Sequence, residues 1–91
     1  MARVLISVRV FPSDIDVDLE MLKKKIKGSL PEYASVYGFR EEPIAFGLKA
    51  LIAHIVLPED RAGGIEEVES ILESIEEISQ FETQGITRIS L

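Results

Sequence analysis

Residues 48–57 read Leu48-Lys49-Ala50-Leu51-Ile52-Ala53-His54-Ile55-Val56-Leu57, apolar at nearly every position and closed by Pro58. A strand with one wet face alternates apolar with polar side chains, so this run predicts a central β-strand covered on both faces or close to it. Its phase stays open. Either Ile52 and His54 or Leu51 and Ile55 face the packed layer, because successive side chains of a strand point to opposite sides.

Before this run, Glu41-Glu42-Pro43-Ile44-Ala45-Phe46-Gly47 reads as a connection, since Pro43 cannot donate to a central ladder and Gly47 frees the backbone. Tyr33 to Arg40, with Val36, Tyr37 and Phe39, predicts a second strand weakened by Gly38. Residues 3–11 alternate Val4, Ile6, Val8 and Val10 with Arg3, Leu5, Ser7 and Arg9, the period of a first strand. Between these two strands Leu19, Leu22, Ile26 and Leu30 share one helical face, with Asp16 as cap and Pro31 as stop. After Pro58, Gly63-Gly64 opens a second helix with Ile65, Val68, Leu72, Ile75 and a marginal Ile71 on its apolar stripe. Phe81 to Ile89 supplies the last strand, with Gly85 a bulge position. The order β-α-β-β-α-β predicts an α+β, ferredoxin-like sandwich: a four-stranded antiparallel sheet with both helices on one face.

Ninety-one residues, 46% of them hydrophobic, make a single domain spanning 1–91 and rule out a disordered acidic tail. The net charge of -6 is unevenly spread: residues 1–49 hold eight bases and seven acids, residues 50–91 two bases and nine acids. Such a field disfavours phosphodiester backbones, so no nucleic-acid partner is expected. With no cysteine the chain suits a reducing compartment, and no apolar run reaches bilayer length, so the expected location is cytoplasmic, without a membrane partner.

Little catalytic chemistry is available. His54, the only histidine, sits mid-strand and reads as a satisfied sheet residue. Gly63-Gly64-Ile65 lacks the GK[ST] of a phosphate loop and reads as a turn before a helix. Glu66, Glu69, Glu73 and Glu77 recur at helical spacing, as do Lys23, Lys24, Lys25 and Lys27, and both sets read as solvated faces. No metal, cofactor or catalytic residue is expected. Phe46 stands apart, because a large aromatic in a connection is either folded back or held out for a partner's pocket.

The stretch EEPIAFGLKAL, with DVDLEMLKKKIK upstream and GGIEEVESILESIEEI downstream, resembles the archaeal elongation factor 1-beta family. The resemblance spans essentially the whole chain. It implies a non-enzymatic guanine nucleotide exchange factor whose partner is the GTPase elongation factor 1-alpha. It further implies that Phe46 is an inserted aromatic, that Pro43 and Gly47 shape its loop, and that Lys49 and Arg88 are basic residues at the partner interface. Relatives place a lysine just before a final leucine, and here Arg88 is followed by Ile89-Ser90-Leu91, a departure in residue type and tail length. Two rivals share the fold: a regulatory module binding a metabolite, and an acylphosphatase-type hydrolase, for which Phe11-Pro12-Ser13-Asp14-Ile15 lacks the required arginine.

Overall fold

The computed structural model describes residues 2–90. Six elements follow in order: β1 (Ala2–Pro12), α1 (Leu19–Ser29), β2 (Ser35–Pro43), β3 (Lys49–Pro58), α2 (Gly64–Glu73) and β4 (Ile78–Ser90). They build a four-stranded sheet in the order β2-β3-β1-β4, each neighbouring pair antiparallel. This is the ferredoxin-like α+β arrangement the element order predicts. The two apolar strands, β1 and β3, occupy the centre.

The phase of β3 is now fixed. Leu51, Ala53, Ile55 and Leu57 join Ile6, Val8 and Val10 of β1 in one buried cluster with Leu22 and Ile26 of α1 and Val68 and Leu72 of α2. The helices therefore cover the odd-numbered side of β3. Ala50, Ile52 and Val56 point to the helix-free face yet are only 0%, 1% and 3% exposed. The strand register explains this, since Arg40 and Arg9 flank Ile52 while Ser35 and Leu5 flank Val56. Long side chains with apolar stems can shield a small neighbour and keep their charge in water. Thus β3 is apolar at most positions because both of its faces are largely shielded from water.

Several boundaries move for physical reasons. Helix α1 is capped by Asp18 rather than Asp16, because the Asp18 carboxylate accepts the amides of Glu20 at 2.9 Å and Met21 at 3.4 Å. Asp16 instead belongs to the preceding turn, where its amide donates to the side chain of Asp14. The helix gives way at Leu30, whose extended backbone is what the following Pro31 imposes. Strand β2 starts at Ser35, two residues later than Tyr33, and runs on through Glu41 and Glu42 to Pro43, three residues that the sequence pattern assigns to the connection. An edge strand tolerates a terminal proline because one side of its ladder is unpaired. Strand β4 begins at Ile78, before Phe81.

Both suspect glycines in strands lie at register shifts. On β2 the pairing slips between Val36 and Gly38, and on the β1–β4 ladder Ser7 pairs Gly85 while Val8 pairs Thr83, leaving Gln84 as the extra residue. Helix α2 buries Val68 and Leu72, and Ile75 just beyond it, while Ile71 lies on the margin of the stripe.

Candidate functional site

The connection between β2 and β3 is a tight hairpin. The amide of Leu48 donates to the Ala45 carbonyl at 2.9 Å, closing a turn around Phe46 and Gly47, and the amide of Ile44 donates to the Leu48 carbonyl at 2.9 Å. Both turn residues have positive φ, 54° at Phe46 and 80° at Gly47. Paired positive φ is the requirement of a type I′ turn, which matches the right-handed twist of flanking strands and favours Asn-Gly. Gly47 fills the second position without strain. Phe46 does not suit the first, since a left-handed conformation costs a non-glycine residue about 1–2 kcal/mol.

The side chain of Phe46 gains nothing from the domain's own core, being 96% exposed. Around it lie further exposed apolar residues of the same connection, Ile44 and Leu48. The β1–α1 loop adds Ile15, whose Cδ1 would stand 3.4 Å from a Cβ placed on Gly47. A shallow hollow continues from this point, lined by the apolar Pro12, Ile15, Val17, Leu19 and Leu48 and by Asp14, Gly47 and Lys49. One end of the sheet thus carries a cluster of exposed apolar side chains with a projecting aromatic.

Of the other residues singled out from sequence, Pro43 and Lys49 pair across the base of this hairpin and Gly47 forms its tip. The Lys49 ammonium is 3.5 Å from Glu41, which Lys23 of α1 also approaches at 3.3 Å. The hydrogen bond from Lys23, with the charges of both lysines, holds the Glu41 carboxyl below its ordinary range. Glu77 is lowered likewise, first by its hydrogen bond from Lys25 and then by a backbone hydrogen bond. Depressed carboxyl values stabilise the fold above the ordinary carboxylate range, and that contribution disappears as pH falls through the folded-state values. Thermal melts between about pH 5 and pH 3 should therefore show a declining midpoint, and Glu41→Gln should flatten the decline. An unchanged slope in the variant would remove Glu41 from this account.

Arg88 is not part of this end. It pairs with Val4 at the start of β1, and its Nε lies 2.6 Å from Glu59, just past β3. Since β3 spans ten residues, Arg88 and Phe46 stand roughly 30 Å apart along the sheet. The same far end holds Tyr33, which donates a hydrogen bond to Glu67 under the guanidinium of Arg61, 4.1 Å from the ring centre. The bond to Glu67, with burial and the charge of Glu67, raises the phenol above its ordinary value against the opposing effect of Arg61.

His54 lies on the helix-free face, its Nδ1 2.9 Å from the Ser7 hydroxyl. The acidic face is used piecemeal: Glu69 accepts from Thr83 at 2.8 Å, and Glu77 from Lys25. Sequence reasoning missed Ile15 and Leu48 as surface residues. An apolar pattern alone does not distinguish a loop side chain that folds in from one that stays out.

The EF-1 guanine nucleotide exchange domain is the family whose sequence pattern matches residues 5–89. The chain belongs to that family. Among curated relatives of this exchange domain, elongation factor 1-beta of Staphylothermus marinus is 47% identical over 90 residues, covering 99% of this chain and all of that protein. Elongation factor 1-beta of Aeropyrum pernix is 45% identical over 89 residues, covering 98% of this chain and 99% of the relative. In fold, the exchange domain is similar to the C-terminal domain of the MgtC protein from Mycobacterium tuberculosis, with a TM-score of 0.58 over 90% of this chain and 85% of that one. At 11% identity that likeness concerns architecture alone. Family membership makes this an exchange domain of the elongation factor 1-beta kind, a component of translation. Among the described residues no helix is long and apolar enough to cross a membrane.

Proposed function

We propose that this chain promotes exchange of GDP for GTP on elongation factor 1-alpha in the cytoplasm, acting by binding and not by making or breaking bonds. The observation that carries this reading is Phe46, fully outside the core at the tip of a hairpin, in a chain of the exchange-domain family. The physics is linkage. A factor that binds the nucleotide-free GTPase more tightly than the GDP-bound form weakens GDP by the same ratio, about 1.4 kcal/mol for each tenfold. An aromatic side chain inserted beside the phosphate and Mg²⁺ environment supplies that difference if the pocket it enters opens only when the nucleotide site is distorted. Pro43 and Gly47 fix the path of the hairpin, Lys49 adds a positive charge beside it, and Arg88 contributes a separate cationic contact at the other end.

The test is the release rate of fluorescent GDP from elongation factor 1-alpha with and without the chain. A large acceleration at micromolar factor is expected, and an unchanged rate would end the proposal. Arg88→Met should lower the acceleration while shifting thermal stability little, since an exposed ion pair such as Arg88–Glu59 contributes only about 0–1 kcal/mol. Because the two ends are far apart, the losses from Arg88→Met and Phe46→Ala should add in free energy to within about 0.5 kcal/mol. If Arg88→Met exchanges like the wild type, Arg88 has no part in the interface.

A further inference from the structure

The base of the Phe46 hairpin is tied on both faces of the sheet. Glu41 and Glu42 are consecutive in β2, so their side chains go to opposite sides. On the helix side Glu41 meets Lys23 at 3.3 Å and Lys49 at 3.5 Å. On the helix-free side Arg9 of β1 reaches Glu42 through Nη2 at 3.0 Å and Glu82 of β4 through Nη1 at 3.1 Å. Arg9 stands opposite Ile52 in the register, whereas Glu42 stands opposite Ala50, two residues nearer the hairpin. The guanidinium therefore crosses β3 diagonally over Ala50, whose single methyl leaves room for it and which is itself fully buried. One side chain joins β1, β2 and β4, bridging over β3. Its Nε is buried and has no hydrogen-bond partner among the described residues, so its polar contacts run through the two terminal nitrogens.

We infer that Arg9 is a positioning residue for nucleotide exchange: its bridge between Glu42 and Glu82 holds the hairpin base so that Phe46 is presented in one conformation. The inference rests on the exchange reading for its effect on activity, but not for its effect on the hairpin. Edge strand β2 is paired on one side only and ends in Pro43, which donates no hydrogen bond. The turn beyond holds a phenylalanine at positive φ, a conformation that persists only where the surroundings over-determine it. Without the bridge the hairpin samples more conformations. The apparent affinity for the GTPase then falls in proportion to the competent fraction, whereas the rate at saturation, a property of the assembled complex, does not.

Arg9→Met, which keeps the apolar stem and removes the charge, is the deciding variant. Arg9→Lys reaches one carboxylate instead of two, and Glu42→Gln cuts the same link from β2. Amide hydrogen exchange should show the protons of Ile44 and Leu48 exchanging about tenfold faster in Arg9→Met and Glu42→Gln, while that of Ile55 is unaltered. In GDP-release titrations the half-saturating concentration should rise about three- to tenfold at an unchanged plateau, with Arg9→Lys between Arg9→Met and the wild type. Unaltered Ile44 and Leu48 protection in Arg9→Met overturns the inference. So does loss of protection spread evenly over the sheet, which would make Arg9 merely structural. If the wild type releases no GDP, the exchange reading falls, and amide protection alone still decides whether Arg9 holds the hairpin.

Discussion

Phe46→Asn is expected to yield a domain that is more stable than the wild type and nearly inactive in exchange. The gain follows from the backbone. Asparagine tolerates the left-handed conformation that Phe46 holds at φ 54°, and no native packing is lost, because the phenyl ring is almost wholly in solvent. Relief of about 1 kcal/mol would raise the melting midpoint of a domain this size by roughly 4–8 °C. The loss follows from the partner. Aromatic anchors at the centre of an interface typically contribute about 2 kcal/mol or more, which corresponds to roughly a 30-fold slower GDP release at limiting factor. Phe46→Ala separates the two effects, because alanine keeps most of the backbone strain and loses the ring: stability near wild type, exchange as poor as in the asparagine variant. Should Phe46→Asn melt lower than the wild type, the strained-turn account is wrong. Should it exchange normally, the ring is not the wedge.

The largest effect on folding is expected at Ile55. It is fully buried in the middle of β3, between neighbouring strands and in one core cluster with residues of both helices. Ile55→Ala removes three carbons where the surroundings cannot collapse, costing about 3–5 kcal/mol. A domain of this length has a total stability of roughly 5–14 kcal/mol, so the variant would lose a large share of it, read as a shift in denaturant midpoint. Ile52 tests the cause. It is just as hidden, but its cover is the side chains flanking it on the helix-free face, which can settle into the gap. Ile52→Ala should therefore cost less than half as much. Equal losses at the two positions would show that both faces of β3 are packed alike.

The architecture was legible because β3 and the two amphipathic helices carry strong, distinct periods, and because the breakers Pro31 and Pro58 fall where elements end. Misplaced boundaries share a physical origin. Asp16 and Asp18 are both competent caps, and only the backbone path decides which carboxylate meets the free amides. Pro43 breaks a central strand but is harmless at the end of an edge strand, and sequence does not reveal which strands lie at the edge. Phe46 was conspicuous as an aromatic in a connection, yet its positive φ, and hence the strain, requires coordinates. Arg88 could be named only through the family resemblance, which places a basic residue near the end of the chain. Its separation from Phe46 by the length of β3 depends on strand direction, which periodicity leaves open. The bridge from Arg9 to Glu42 and Glu82 joins residues far apart in sequence through a diagonal contact, so no local pattern announces it.

A phenyl ring held permanently in water has a colloidal consequence. In a crowded solution such a knob is as ready to meet another copy of its own kind as to meet its proper target, and its fixed turn prevents it from folding away. The domain's net charge of -6 opposes such encounters, giving every pair of copies a repulsion at long range that a short-range apolar contact must overcome. The acids on the back of α2 therefore help keep the exposed tip soluble, although they lie on another part of the molecule.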